Sequence, residues 1–422
     1  MTGTIEPRDI VIAGGGVGAV EALLALTDLG ERRFRITMVA PNERFALRAL
    51  SVAEPFAAGH HADVAPLADI VRERGASLVR SVVTEVDSEN KTVKCTDGEQ
   101  LSYDTLILSP GARPREAYRP ALTFGLRDPL AFNGLLRDLE EGYVNSVAFV
   151  VPDGVVWSLP LYELALMTAR QVYGTGRDVD LHLATPERAP LAVFGPEASA
   201  AVADLFGELN ISLHCGMPVT VAKGSIRIGR DGTATSVDRI VSLPVLAGPY
   251  VAGVPSNADG FIGVDEFCRV PGLAGVYAIG DATDLLIKQG GIACQQADVA
   301  ARHIAHDAGG PLEPERFTPV LRGRLLTGGA DRFLRRDLQG AHGEADEQEL
   351  WWPPSKVYGR YLGPWVAMRQ LDHHDGALTT AIPPEAPEGI DIEVSLRRDV
   401  FGPKTLLGLS SLGATGTHIP TY

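Results

Sequence analysis

The sequence predicts an α/β fold: two doubly wound, three-layer units, the second inserted in the first, plus a smaller C-terminal α+β unit. Three observations predict it. A short apolar run, Ile10–Ala13, leads at once into Gly14, Gly15, Gly16 and Gly18, and then into helical apolar spacing at Val20, Leu23, Leu24 and Leu26. Apolar strands alternate with helical segments from about residue 122 to residue 246. The buried run Gly275–Asp281, GVYAIGD, then resumes the first unit. Such alternation implies parallel sheets with right-handed crossovers, so both units are expected to be Rossmann-like. The expected boundaries are 1–120 with 247–310, 121–246 for the insertion, and 311–422 for the C-terminal interface unit and tail.

Strand, glycine turn and helix in Asp9–Ala22, DIVIAGGGVGAVEA, form a dinucleotide-binding fingerprint. Gly14 permits the tight turn, Gly16 admits a pyrophosphate, and Ala19 lets helix and strand pack closely. The helix N-terminus offers free N–H groups and partial positive charge to phosphate. The second strand is RITMVA, Arg35–Ala40, followed by an arginine-rich turn segment. A helix is expected near Pro66–Arg74, one strand near Ser77–Val86, and a hairpin over Glu85–Leu101. Tyr103–Gly111, YDTLILSPG, is a buried strand ending in a glycine turn.

In the insertion, helices are expected at Pro129–Glu141, Leu159–Tyr173 and Glu197–Leu209. Strands are expected at Ser146–Val151, Val179–Ala184 and Ile211–His214. Ile240–Ala258 is uncharged but carries Pro244, Pro249 and Pro255, which predicts loop and turn. Ile292–His306 reads as a helix. Arg316–Trp365 is dense in arginine and aromatics, and the tail Asp372–Tyr422 has poor periodicity.

Hydrophobic content of 45% and charged content of 22% suit a globular chain of 422 residues. A net charge of −15 disfavours nucleic acid, which needs clustered cations. Cys95, Cys215, Cys268 and Cys294 form no close-spaced pair, so no metal site is expected. The N-terminal MTGTIEPRD lacks a signal-peptide layout, and a cytoplasmic location is expected.

The fingerprint, the Leu106–Gly111 strand and turn, and GVYAIGD together resemble the FAD-dependent pyridine nucleotide-disulfide oxidoreductases over roughly Arg8–Ala308. The resemblance implies FAD in the first unit. TLILSPGARP is similar to the family's turn beside the flavin, and VYAIGDAT to the segment that sets an Asp on the ribityl chain. The expected cofactor-binding residues are Gly14, Gly16, Val17, Gly18, Ala40, Pro41, Arg48, Val83, Ser109, Pro110, Gly111, Gly280, Asp281, Lys288 and Gly290. Two departures stand out. The second strand ends without a carboxylate until Glu43, which leaves the ribose to backbone or Asn42. The insertion reads PDGVVWSLPLYELALMTA where a nicotinamide site needs glycines, and Trp157 and Pro160 argue against NAD(P)H.

KQGGIACQQADVAARHIA and SLPLYELAL resemble the sulfide:quinone oxidoreductase subgroup. Its members pass electrons from reduced sulfur through FAD to quinone or cytochrome. That chemistry needs a cysteine pair; this chain has Ser158 at the first place and no cysteine after Cys294.

Three residues are candidates for catalysis. Lys288, with Gly290 and Gly291 at a helix start, would stabilise negative charge on a reduced flavin; the alternative is a solvated loop lysine. Glu163 is a candidate acid/base group or a buried partner of an arginine. Cys294 is a reactive thiol at a helix start or a small residue packed behind the flavin. His60–His61 with Asp63, and His373–His374, read as solvated turns, not metal ligands, because neighbouring side chains diverge.

LWWPPSKVYGRYLGPWV holds Trp351, Trp352, Tyr358, Tyr361 and Trp365. It is expected to pack over the flavin or at a homodimer contact; a membrane surface is the less favoured reading, since Pro353–Pro354 breaks an amphipathic helix. The expected function is an FAD-dependent oxidoreductase between a small substrate and an unknown acceptor, quinone among the candidates. Its rivals are an NAD(P)H-dependent quinone or ferredoxin-type reductase and a non-catalytic flavin scaffold or redox sensor.

Overall fold

A computed structural model describes residues 6–373 apart from 31–32, 57–61, 127–130, 230, 337–342 and 352. The first sheet has five parallel strands in the order Val276–Ala278, Thr105–Leu108, Arg8–Ala13, Phe34–Val39 and Ser77–Val79. Ile10 lies opposite Ile36 on one side and Thr105 on the other. These strands are near-continuous apolar runs because helices and a second apolar layer cover both faces.

Helix α1, Val17–Gly30, follows the glycine turn, and α2, Leu67–Glu73, precedes the edge strand. From Gly18 to Leu26 every α1 residue is buried, because α1 is wedged between the sheet and the last helix of the unit. The expected strand over Ser77–Val86 is two, Ser77–Val79 and Val83–Asp87. The chain turns away between them, and Val83–Asp87 joins a three-stranded antiparallel meander with Thr92–Cys95 and Gln100–Ser102. The hairpin expected over Glu85–Leu101 is a meander instead: the range spans both turns and reaches the third strand.

Helices α3, Ala131–Glu141, α4, Leu159–Gly174, and α5, Pro196–Glu208, belong to the inserted unit. Its five parallel strands run Leu122–Thr123, Arg239–Ser242, Ser146–Val150, Asp180–Thr185 and Ile211–Cys215. A meander of Val219–Ala222, Ser225–Ile228 and Ala234–Ser236 covers one face through Ile226, with Val237 just after it in the same cluster. The expectation of loop over Ile240–Ala258 is corrected. Ile240–Ser242 lies in the strand beside Ser146–Val150, and Val245–Ala247 pairs antiparallel with Arg113–Arg115. The prolines flank these short strands, so they break no ladder hydrogen bond.

Helix α6, Gly290–Asp307, packs along α1. The C-terminal part adds an antiparallel sheet of Leu321–Leu325, Arg332–Arg336 and Gly343–Asp346, and then α7, Leu362–His373. The tail beyond residue 373, His374, His60–His61 and Trp352 lie outside the described residues.

Candidate active site

The first sheet reverses its strand order between Arg8–Ala13 and Thr105–Leu108. Ligands of open α/β sheets bind beyond the carboxyl ends of strands at such a switch point. Gly14 follows one of these strands and Ser109 the other, and both line a cleft of about 1840 Å³. Gly14 has φ +138°, and a Cβ there would stand 2.0 Å from the Ser109 carbonyl oxygen, so only glycine fits. Gly16 has open space where a Cβ would be, so its backbone lies bare to the cleft.

Two helix N-termini meet at this wall. In α1 the first helical bond is Val20 N–H to Gly16 C=O, which leaves the N–H groups of Val17, Gly18 and Ala19 ahead of the ladder. In α6 the residue before the helix, Gln289, supplies no side-chain cap, and no acidic residue sits in the first turn. A Cβ on Gly290 would stand 3.7 Å from Val17 Cγ1, so the two positive helix ends are neighbours. Together they form a cradle for an anionic ligand.

The other expected binding residues are distributed around the same cleft. Pro41, Arg48, Val83, Pro110 and Gly111 line it, as do Gly280 and Asp281. Gly280 has φ +71° and donates its N–H to Gln296 Oε1 at 2.6 Å, a partner the sequence did not suggest. Burial pushes the Asp281 carboxyl up, against the charges of Lys288 and Arg48. Ala40 is corrected: it is fully buried, and its Cβ faces Gly15 from behind the loop. Asn42 does line the cleft.

Lys288 is in the cleft but folded back. Its Nζ donates to the carbonyls of Asp281 at 3.2 Å and Thr283 at 2.5 Å, and it lies 3.8 Å from the centre of the Phe261 ring. Burial pushes the ammonium down to about 8, with Asp281 and Asp284 opposing.

Glu163, in the second turn of α4, is fully buried in the cleft wall. Its partner is a lysine, not an arginine: Lys356 Nζ pairs with Oε1, which also accepts the Leu326 N–H at 2.8 Å. Lys356 further donates to the Arg324 carbonyl at 2.6 Å. Glu163 Oε2 has no hydrogen-bond partner. Burial pushes the Glu163 carboxyl up and the Lys356 ammonium down, each resisted by the other's charge.

Cys294 is corrected as a catalytic candidate. It is fully buried and does not line the cleft; Ala293 does. Its Sγ would stand 2.9 Å from a Cβ on Gly359, and Glu21 and Asp298 are the charges around it. Burial first, and then those carboxyls, push the thiol well above its ordinary value, which makes it inert. Glu21 in turn accepts the N–H groups of Tyr361 at 3.0 Å and Leu362 at 2.6 Å, fastening the start of α7 to α1.

Val155, Val156, Trp157, Leu159 and Pro160 add an apolar stretch to the lining of the same cleft. Among the described residues there is no cluster of three or more His, Cys, Asp or Glu able to hold a metal, and no helix long and apolar enough to cross a membrane.

The sequence profile described as pyridine nucleotide-disulphide oxidoreductase matches residues 8–151 and 162–303. The mitochondrial external alternative NAD(P)H-ubiquinone oxidoreductase B4 of Arabidopsis thaliana is 23% identical over 364 residues, 75% of this chain and 61% of its own length. The mitochondrial internal alternative NAD(P)H-ubiquinone oxidoreductase A1 of Solanum tuberosum is 24% identical over 68% of this chain and 64% of its own. The chain thus spans under two thirds of these relatives. Among solved structures, the sulfide:quinone oxidoreductase of Aquifex aeolicus superposes with a TM-score of 0.72 at 20% identity, covering 81% of this chain and 87% of its own. NDH2 of Plasmodium falciparum, determined with NADH, gives 0.61 at 15% identity, covering 87% and 95%. Both likenesses concern the fold.

Proposed function

The chain belongs to the pyridine nucleotide-disulphide oxidoreductase family, and from that membership we propose an FAD-dependent oxidoreductase that moves electron pairs between a small donor and a quinone-type acceptor. The carrying observation is the cradle of paired helix N-termini at the switch point, with Gly14 and Gly16 stripped of side chains toward it. A flavin dinucleotide fits that cradle: Gly16, Val17 and Gly18 would meet its pyrophosphate, Arg48 would neutralise it, and Asp281 would accept its ribityl hydroxyls. When bound, FAD supplies two-electron acceptance from one substrate and release to another.

The chain's own residues supply the rest. Lys288, a short step from the α6 N-terminus and in the cleft lining, would offer positive charge to a reduced cofactor. Glu163, with Oε2 unpartnered on the cleft wall, takes up or gives a proton as a substrate changes redox state. Val155, Val156 and Trp157 exclude water and favour a flat apolar substrate. The names of the plant relatives support ubiquinone as the model for that acceptor.

A second reading, an NAD(P)H:quinone reductase, is favoured by those same names. The test is to purify the protein, record its flavin spectrum, follow anaerobic bleaching by NADH, NADPH and sulfide, and then follow reoxidation of the dithionite-reduced flavin by a short-chain quinone. Reoxidation by the quinone supports the proposed acceptor site. A protein that binds no flavin overturns the reading.

A further inference from the structure

In a dinucleotide-binding βαβ unit, the pyrophosphate sits at the helix N-terminus and an acidic side chain beyond the second strand holds the adenosine ribose. In the inserted unit these places correspond to the start of α4 and to the chain just past Asp180–Thr185. An acidic residue is present there, Glu187, but it is turned inward and 1% exposed.

Three hydroxyls hold it. Glu187 Oε2 accepts from Ser158 Oγ at 3.0 Å, Tyr162 Oη at 2.8 Å and Thr185 Oγ1 at 2.9 Å. Ser158 is the residue before α4 and Tyr162 lies at the end of its first turn. A carboxylate is therefore fixed beside the helix end that a phosphate would approach. Beside it the aromatics pack together. Trp157 packs edge-on against Phe194, with ring centroids 5.7 Å apart. Phe194 is itself sealed beneath Gly323, where a Cβ would come within 2.6 Å of its ring. Arg336 donates to the Val193 carbonyl at 2.8 Å and fastens this closure to the C-terminal sheet.

We propose that Glu187 is a specificity-determining residue: its carboxylate, committed to Ser158, Tyr162 and Thr185, occupies the inserted unit's dinucleotide position and closes it to NAD(P)H. The ribose loses its acceptor and the pyrophosphate meets a like charge, which is exclusion by a repulsive element and not by mere lack of glycine. This inference rests on the reading of the chain as an FAD oxidoreductase.

The test is calorimetric titration of ADP-ribose, which carries no electrons, into the FAD-loaded full chain. The wild type is expected to show no saturable binding up to millimolar ligand. Glu187→Ser is expected to bind at least tenfold tighter with its flavin spectrum intact. Should Glu187→Ser fail to retain flavin, the isosteric Glu187→Gln, which removes the charge and keeps the hydrogen-bonded shape, carries the same readout and the same expectation. Micromolar binding by the wild type overturns the closure. A flavin-loaded variant that binds no tighter than wild type overturns the assignment to Glu187. Failure of the proposed quinone activity bears on the function alone, because ADP-ribose binding needs no turnover.

Discussion

Glu163 and Lys356, 193 residues apart in the chain, form an ion pair sealed in the cleft wall, their side chains 0% and 4% exposed. The pair joins α4 of the inserted unit to the segment before α7, so the wall of the site is built from two distant parts of the sequence. One carboxylate oxygen is spent on Lys356 and Leu326; the other is unpartnered.

Glu163→Gln keeps the size and removes the titration. Turnover should fall by about 10²–10⁴-fold, the range for a lost general acid/base, with flavin retained. Burial is the main cause of the raised Glu163 value, so wild-type activity that needs the carboxylate falls as pH drops through that raised value. The acid limb of the pH profile should vanish in Glu163→Gln.

Lys356→Met leaves the buried Glu163 charge uncompensated. Breaking such a pair costs about 3–5 kcal/mol, read as a lowered denaturation midpoint. The double variant Glu163→Gln/Lys356→Met should recover most of that loss. A double variant as unstable as Lys356→Met would show that the lysine acts through packing.

Lys288 sits at about 8, so it carries charge at neutral pH and loses it in the alkaline range. Flavin reduction should slow as pH rises through about 8, or somewhat above once an anionic cofactor is bound. Lys288→Met should be slow at every pH and lack that step.

Glu21 and Asp298 face each other behind the cleft. Burial first, and then Glu21, push Asp298 well up, and burial pushes Glu21 up. With native values above the unfolded ones, their contribution is fully present at low pH and is lost as pH rises through the native values. Asp298→Asn donates to Glu21 without needing a proton. Its melting temperature relative to wild type should rise between pH 5 and pH 8; a gap that does not change with pH contradicts raised native values for this pair.

Local chain signals made part of this site legible. Gly14–Gly18, Ser109–Gly111 and Gly280–Asp281 are each strand ends followed by small residues, and all line the cleft. Lys356, Gln296 and Glu187 were not legible, because each acts through a partner at least 16 residues away. Of its two readings, Cys294 is the packed residue and not the reactive thiol, because of helix phase. One residue turns α6 by about 100°, enough to send Ala293 to the cleft and Cys294 back against Gly359. The strand residues Ile240–Ser242 were hidden because proline content outweighed a four-residue strand, Arg239–Ser242.

In the proposed function the cleft exchanges electrons with a quinone-type partner and not with a nicotinamide. The direct measurement is anaerobic rapid mixing of the oxidised FAD-loaded protein with NADH and, separately, of the dithionite-reduced protein with a short-chain quinone. The quinone should reoxidise the flavin within turnover time, while NADH leaves the oxidised flavin unbleached. Fast saturable bleaching by NADH would contradict the account.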